Sequence, residues 1–552
     1  MDQSKVQEVL WDYIFVGGGL SASVVSHRLI ESNPDLRVLV VEAGSDANNR
    51  SDIVWPNSTN LIGGDFDWRY NTVSQSWLDG RSISTPAGKA LGGGTVINNG
   101  GWVRGDKFDY DLWGSTVNDK RWSYEGLLPF MKKSESFWSN STNIPHHGFH
   151  GPASVQSVTS THREFPLRDR VMRSWNQLGI HALDGLDANS GNPLGIGELQ
   201  ENKLKGQREI ASAIYPLKGA TVMTDTMVEK ILFEHDSGHE SLLATGIKLD
   251  GGAEIRGRNV ILAAGALRSP QILMLSGVGP ADGLAKFDIP VLLDQSSVGK
   301  NLADHGLFLH SWKVKDPSAG WAIGSPNPLF NGPQYGWGGP TDFLVSTDVP
   351  KEGLRAAVEE DEGVVPDCST HPLLSGPRTF AEHVLMYAGA ADGSLVTFAL
   401  ITLLPTARGT IKLASNKVND PPLIDPNYLG TAVDRYVIRE GMKTQLEFAT
   451  STEVGREVLD GEAGAPGFDQ VFVENSTDDY IDARLRAGLG TSYHPMGTLA
   501  MGAVVDCDLK VKGVQNLRVI DTSVFPVPIT GHLQVATYAM AEQAADIIGK
   551  SG

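Results

Sequence analysis

DYIFVGGGLSASVVSHRLIESNPDLRVLVVEAG, residues 12–44, decides how this chain folds. Tyr13-Ile14-Phe15-Val16 is an apolar run of the length of a fully buried strand, and glycines follow at once. Gly17 permits a tight turn, Gly19 lacks the Cβ that would hold backbone away from a pyrophosphate, and Ala22 is small enough for close helix–strand packing. A helix starting there aims free N–H groups and about half a positive charge at a phosphate. Arg37-Val38-Leu39-Val40-Val41 reads as the second strand, and Glu42 at its tip can accept hydrogen bonds from a ribose diol. The spacing predicts a strand–turn–helix–strand unit that binds an adenine dinucleotide.

Working outward, further segments have the same character. Gly88 to Asn98, GKALGGGTVIN, is a second glycine-rich stretch, bare enough to lie against a planar ligand or a phosphate. TVMTDTMVEKILFE and LLATGIKLD, within 221–250, read as antiparallel strands. Arg258 to Ala266 reads as a buried strand ending at a glycine turn, followed by a helix over Pro270–Gly277. Leu517 to Ser523 is again a strand running into a turn, and Ala536–Ile548 an apolar-periodic helix, so the nucleotide domain is expected to be discontinuous. Residues 311–400 differ: Trp312, Trp321, Phe330, Tyr335, Trp337, Phe343, Tyr387 and Phe398 stand among loop-like segments, as in a second domain with long loops over a sheet.

Composition bounds the rest. The 552 residues allow two to four domains, and 41% hydrophobic with 20% charged content is that of a globular protein. A net charge of −19 speaks against binding a nucleic-acid backbone, and no apolar run is long enough for a membrane span. Cys368 and Cys507 are too few for a disulfide scaffold or a cysteine metal site; they could pair if close, but two free buried thiols are expected, and no metal. MDQSKVQEVLWDY has no hydrophobic leader core, which favours the cytoplasm over secretion with the leader removed. Asn49, Asn57, Asn140 and Asn475 each open an N-x-Ser/Thr triplet without deciding the compartment.

Two of the fourteen histidines have informative surroundings. His494 lies in the proline- and glycine-bounded loop TSYHPMGT, and His532 in TGHLQ just before the terminal helix. Loops on a rigid scaffold are where catalytic groups tend to sit, and a histidine is suited to take a proton near neutral pH.

Ordered matches along almost the whole chain carry a resemblance. They are the opening DYIFVGGG…VLVVEAG, then GKALGGGTVINNGGWVRGDKFDYD, WSYEGLLPFMKKSE, HGFHGP, Gly265 to Pro270 continuing through Ser276-Gly277-Val278-Gly279, Val298 to His305, ARGTIKLAS, DPNYL, YHPMGT and NLRVIDTSVFP. The chain resembles the glucose–methanol–choline (GMC) oxidoreductases, flavoproteins that oxidise alcohols, in the manner of the fungal aryl-alcohol and glucose oxidases. The resemblance implies an α/β, Rossmann-like FAD-binding domain plus an α+β substrate-binding domain with an antiparallel sheet. Residues 9–307 would form the FAD-binding region, with substrate-domain excursions around 105–190; 308–484 the substrate-binding domain; 485–552 the return to the FAD domain carrying both histidines.

It also implies FAD rather than NAD, and roles for residues. Gly17, Gly18, Gly19, Leu20 and Ser21 would hold the pyrophosphate, and Glu42 with Ala43 the adenosine ribose. Gly93 and the backbone of Asn98, Asn99, Gly100 and Gly101 would face the flavin and ribitol, and Val228 would present its backbone to adenine. Asp521, Thr522, Leu533 and Gln534 would close over the pyrophosphate and isoalloxazine. His494 matches the general base and His532 the second position, which is histidine or asparagine.

There are departures from the pattern. Gly94 stands where serine or cysteine is frequent, and Val96 where members with covalently attached flavin carry histidine, so non-covalent FAD is expected. Asn99-Gly100-Gly101-Trp102 differs from the usual run near the flavin's reactive edge, leaving substrate choice and oxygen reactivity open. The expected reaction sends hydride from an alcohol to flavin N5 and its hydroxyl proton to His494, aided by His532. O2, a quinone or a dye acceptor then reoxidises the flavin. The aromatics of 311–400 favour an aryl, furan or polyketide-like alcohol over a sugar. A lyase or cyclase on the same scaffold without net redox is the alternative, because fold alone does not determine chemistry; a non-catalytic flavin binder is a third reading.

Overall fold

A computed structural model of the protein describes residues 6–48, 50–55, 61–138, 144–235 and 241–550. Tyr13–Val16 is the central strand of a five-stranded sheet. Thr221–Met223 and Val38–Val41 lie on one side of it, Val260–Leu262 and Leu517–Val519 on the other, and all four pairings are parallel. Every residue of Tyr13–Val16 and Val38–Val41 is buried, as parallel strands covered on both faces must be. The helices Leu20–Ser32 and Gln534–Gly549 pack on each other beside this sheet, so the last helix of the chain completes the layer begun by the first. Strand order reverses between Tyr13–Val16 and Val260–Leu262, which opens a crevice at their carboxyl ends.

A second, seven-stranded sheet is antiparallel throughout. Its centre is Gly306–Val314, Leu395–Thr402 and Ala381–Gly389, in that order. Register sets Leu307, Ile401 and Glu382 in one row, Leu309, Ala399 and Val384 in the next, and Ser311, Thr397 and Met386 in a third. Alternation puts these rows on one face. The other face carries Phe308, Trp312, Phe398, Leu385 and Tyr387, all buried in a core that includes Ile438, Leu446 and Phe448 of the helix Ala432–Ser451. Phe398 meets Phe448 edge to face, ring centres 5.3 Å apart.

Four sequence expectations change. Thr221–Met223 is not a hairpin strand: it pairs in parallel with Val38–Val41, and only Val228–His235 and Leu242–Leu249 form the antiparallel pair. The helix expected from Pro270 begins earlier, at Gly265, with Pro270 inside it. Proline cannot donate to the carbonyl four residues back, and the Ala266 carbonyl accepts the Thr498 hydroxyl instead at 2.6 Å. Both cysteines are free, but neither is buried as expected: Cys368 is exposed and Cys507 half-buried. Phe343, Tyr387, Phe398 and Trp312 belong to the core, so the aromatic content of 311–400 is no measure of the substrate. Of the four asparagine triplets, Asn49, Asn57 and Asn140 lie outside the described residues, and Asn475 is exposed. Among the described residues, no helix is long and apolar enough to cross a membrane and no cluster could hold a metal ion.

Candidate active site

The crevice is floored by glycine. Gly17 has φ +96°, and a Cβ there would lie 2.6 Å from the Ala263 carbonyl oxygen. A Cβ on Gly93 would lie 2.8 Å from the Cα of Gly19, so the two glycine-rich turns touch. The helix that starts with Leu20 and Ser21 has no side-chain cap and no acid in its first turn, which leaves its leading N–H groups and dipole for an anion. Glu42 accepts from the Gly18 and Gly44 N–H groups at 2.7 Å each, with Ala43 between strand tip and turn. Burial pushes its carboxyl up to about 7. The Thr226 N–H donates to the Glu42 carbonyl at 2.9 Å and brings buried Val228 to this end of the crevice. An uncapped helix start, a floor that any Cβ would fill and an acid at the second strand's tip fit an adenine dinucleotide.

The far end of the crevice is tied off by the C-terminal segment. Asp521 accepts from Gly265 N–H at 2.9 Å, the Ser269 hydroxyl at 2.5 Å and Ser523 N–H at 2.9 Å, so its carboxylate holds the turns rather than pointing outward. The Thr522 hydroxyl donates to the Pro495 carbonyl at 3.0 Å and locks the strand end to the His494 loop. Leu533 caps the terminal helix without a side-chain hydrogen bond, and Gln534 donates to the Gly101 carbonyl at 2.7 Å while accepting from the Asn98 amide at 3.3 Å. Gly100 is held by Asn202, whose N–H donates to its carbonyl at 2.7 Å; Asn99, next to it, is exposed. Trp102 turns away, giving its indole N–H to Glu135 at 3.0 Å in the core.

Four side chains converge beyond Gly101. Asp304, fully buried, accepts from the His305 and His494 N–H groups at 2.9 and 2.8 Å and from the Thr491 hydroxyl at 2.6 Å, and Tyr428 donates to it as well. This fixes two backbones 189 residues apart and sets His305 Nδ1 3.0 Å from His494 Nδ1. His494 Nε2 has no partner among the described residues and remains available to a ligand. The His494 and His532 ring centres are 5.2 Å apart. His532 Nε2 lies 2.9 Å from Glu382 Oε1, on the substrate-domain sheet. His532 reaches this position only because residue 101 is glycine: a Cβ there would be 2.4 Å from His532 Nδ1.

The electrostatics separate the three rings. Burial holds His494 well below its usual range, and any charge on His305 or His532 lowers it further. His305 is pushed down to about 3, chiefly by burial and then by His532. Burial opposes a charge on His532 too, but the charge and hydrogen bond of Glu382 outweigh it and raise the ring above its ordinary value. The cluster thus sets an imidazole whose charged form burial disfavours beside one whose charged form Glu382 favours.

The structure brings His494, His532, Gly101 and Gln534 to one place, and Gly17 to Ser21, Glu42 and Gly93 to another, joined by Asp521 and Thr522. Sequence reading missed three partners. His305 stands in the quoted block 298–305 but carried no role. Glu382 is an acid inside the apolar strand AEHVLMYAG, a signal that could have marked it. Arg208 lies half-buried against Asn98, whose side-chain oxygen accepts from it at 2.9 Å, and desolvation lowers its guanidinium to about 10.

Known proteins resemble this chain over nearly its whole length. Residues 11–307 match the N-terminal model, and 405–541 the C-terminal model, of GMC oxidoreductase. The chain is 36% identical to the GMC-type oxidoreductase acuG of Aspergillus aculeatus, over 98% of this chain and 99% of that one. It is 30% identical to an oxygen-dependent choline dehydrogenase of Paraburkholderia phymatum, over 98% and 92%. Among solved structures, pyridoxine 4-oxidase from Mesorbium loti superimposes with a TM-score of 0.80 at 25% identity, covering 97% of this chain and 98% of the other.

Proposed function

The chain belongs to the GMC oxidoreductase family, and from that premise we propose that it is an FAD-dependent oxidoreductase acting on the CH–OH group of an alcohol. Bound FAD supplies the hydride acceptor, at N5, and hands the electrons to O2 or another acceptor. The uncapped helix start and the Gly17–Gly19 turn would hold the pyrophosphate, Glu42 the ribose, and the Asn98–Gly101 backbone with Gln534 the ring end. Val96, buried among apolar side chains, offers no nucleophile for attachment, which supports non-covalent FAD.

The carrying observation is the unequal pair, His494 neutral and His532 paired to Glu382. His494 takes the hydroxyl proton at Nε2. With the ring hydrogen of His494 on Nδ1, directed at His305 Nδ1 3.0 Å away, Nε2 would be free of hydrogen and open to the proton. His532, as imidazolium, holds the alcohol oxygen and stabilises the charge that grows on it as the proton leaves. A positioned base of this kind contributes about 10²–10⁴-fold. No observation favours the lyase or cyclase alternative. The test is anaerobic mixing of the yellow holoenzyme with alcohols: bleaching of the flavin requires hydride transfer, whereas turnover with the colour intact would refute the redox reading.

A further inference from the structure

The face of the antiparallel sheet that carries Glu382 is the one not packed against the helix Ala432–Ser451. Along the strand Ala381–Gly389, exposure rises outward from Glu382: fully buried at Glu382, half-buried at Val384, Met386 and Ala388, exposed at Gly389. The neighbouring rows contribute Leu307, Leu309, Ala399 and Ile401, with Leu309 55% exposed. At strand spacing, Glu382 and Met386 are about 13 Å apart. The strip then runs out into a shallow, open cleft of about 550 Å³ lined by Met386, Ala388, Ile323 and Gly324. From Glu382 to the Val384 row the strip carries only apolar side chains; in the Met386 row, Ser311 and Thr397 satisfy each other with a hydrogen bond at 3.0 Å.

We propose that this strip is the wall of the substrate channel and selects an alcohol with an extended apolar body, its hydroxyl at His494 and His532 and its tail along Val384, Leu309 and Met386 to the cleft. This rests on the redox reading above and names the substrate class for it. The geometry gives each methylene apolar surface to cover, while a sugar's ring hydroxyls would lose water here and find no partner. The length of the strip corresponds to about ten carbons of extended chain.

The test uses the FAD-loaded enzyme and the straight-chain primary alcohols from 1-propanol to 1-dodecanol, with glucose beside them. The expected result is a kcat/KM that rises about fourfold per methylene until the strip is filled. Non-oxidisable n-alkyl carboxamides should perturb the flavin spectrum with dissociation constants that fall in step. Met386→Trp should move the optimum to shorter chains, and Leu309→Asp should lower the ratio of 1-octanol to 1-propanol about tenfold. If no alcohol bleaches the flavin, the redox reading fails and this proposal with it. If 1-propanol and 1-octanol bleach it with equal kcat/KM, or glucose outruns both, the channel alone is overturned.

Discussion

His305 and His494 face each other through their Nδ1 atoms at 3.0 Å, with one buried carboxylate, Asp304, holding both backbones. Only one of the two can donate across that contact. Burial pushes the His305 ring down to about 3, so it meets His494 as a neutral imidazole whose Nδ1 accepts when its own hydrogen is on Nε2. His494→Ala should cut kcat/KM for an oxidisable alcohol by about 10² or more while the flavin stays bound and yellow. An unchanged rate would remove the base from this account.

His305→Phe removes the acceptor without emptying the site. His494 can then carry its hydrogen on either nitrogen, and the expected loss in kcat is about tenfold, with His305→Asn recovering part of it through its amide oxygen. Rapid-reaction flavin reduction reads this directly. Equal rates for the phenylalanine and asparagine variants would mean that the contact only packs.

The pH profile follows from the two opposite shifts. Activity needs His494 neutral and His532 charged, so the acid limb of kcat/KM should fall well below pH 6.5 and the alkaline limb above it. Glu382→Gln takes away the charge that keeps His532 protonated. Its alkaline limb should move toward acid pH, and the rate at pH 8 should drop more than the rate at pH 6.

Gly101→Ala tests the seat of His532. Its new Cβ would meet Nδ1 at 2.4 Å, and the ring must shift or turn away from Glu382. A displacement of about 1 Å in a reacting group costs on the order of 10²-fold, so turnover should fall steeply while the circular dichroism spectrum and FAD content hold.

Glu42 gives a stability prediction for the FAD-depleted protein. Burial raises its carboxyl from the usual 4.5 to about 7, so the folded state binds that proton more tightly than the unfolded one. Its contribution is complete below pH 4.5 and is lost as pH climbs through 7, by at most about 3 kcal/mol. Melting temperatures across that window should decline for the apoprotein and stay flatter for Glu42→Gln.

The dinucleotide half was legible because its signals are local: Tyr13 to Glu42 contains strand, turn, helix and acid within one short stretch. His494 and His532 were legible through the loops that hold them and the motif around each. Glu382 was not, because its role exists only once the strand Ala381–Gly389 is laid beside Leu395–Thr402 and brought 150 residues across the chain to His532. The aromatics of 311–400 say less about the substrate for a related reason. Counting them ignored parity, and GLFLHSWKV already puts Phe308 and Trp312 on the face opposite Leu307 and Leu309.

The first sheet begins at Tyr13 and is finished by Leu517–Val519 and the helix Gln534–Gly549. A ribosome adding about 5–20 residues per second needs on the order of half a minute or more between those events. Leu20–Ser32 lacks its covering helix through that interval, and Val260–Leu262, once made, is an unpaired edge until Leu517–Val519 follows, so holding chaperones have a defined stretch to shield. Premature termination before Leu517 would leave that edge bare for good.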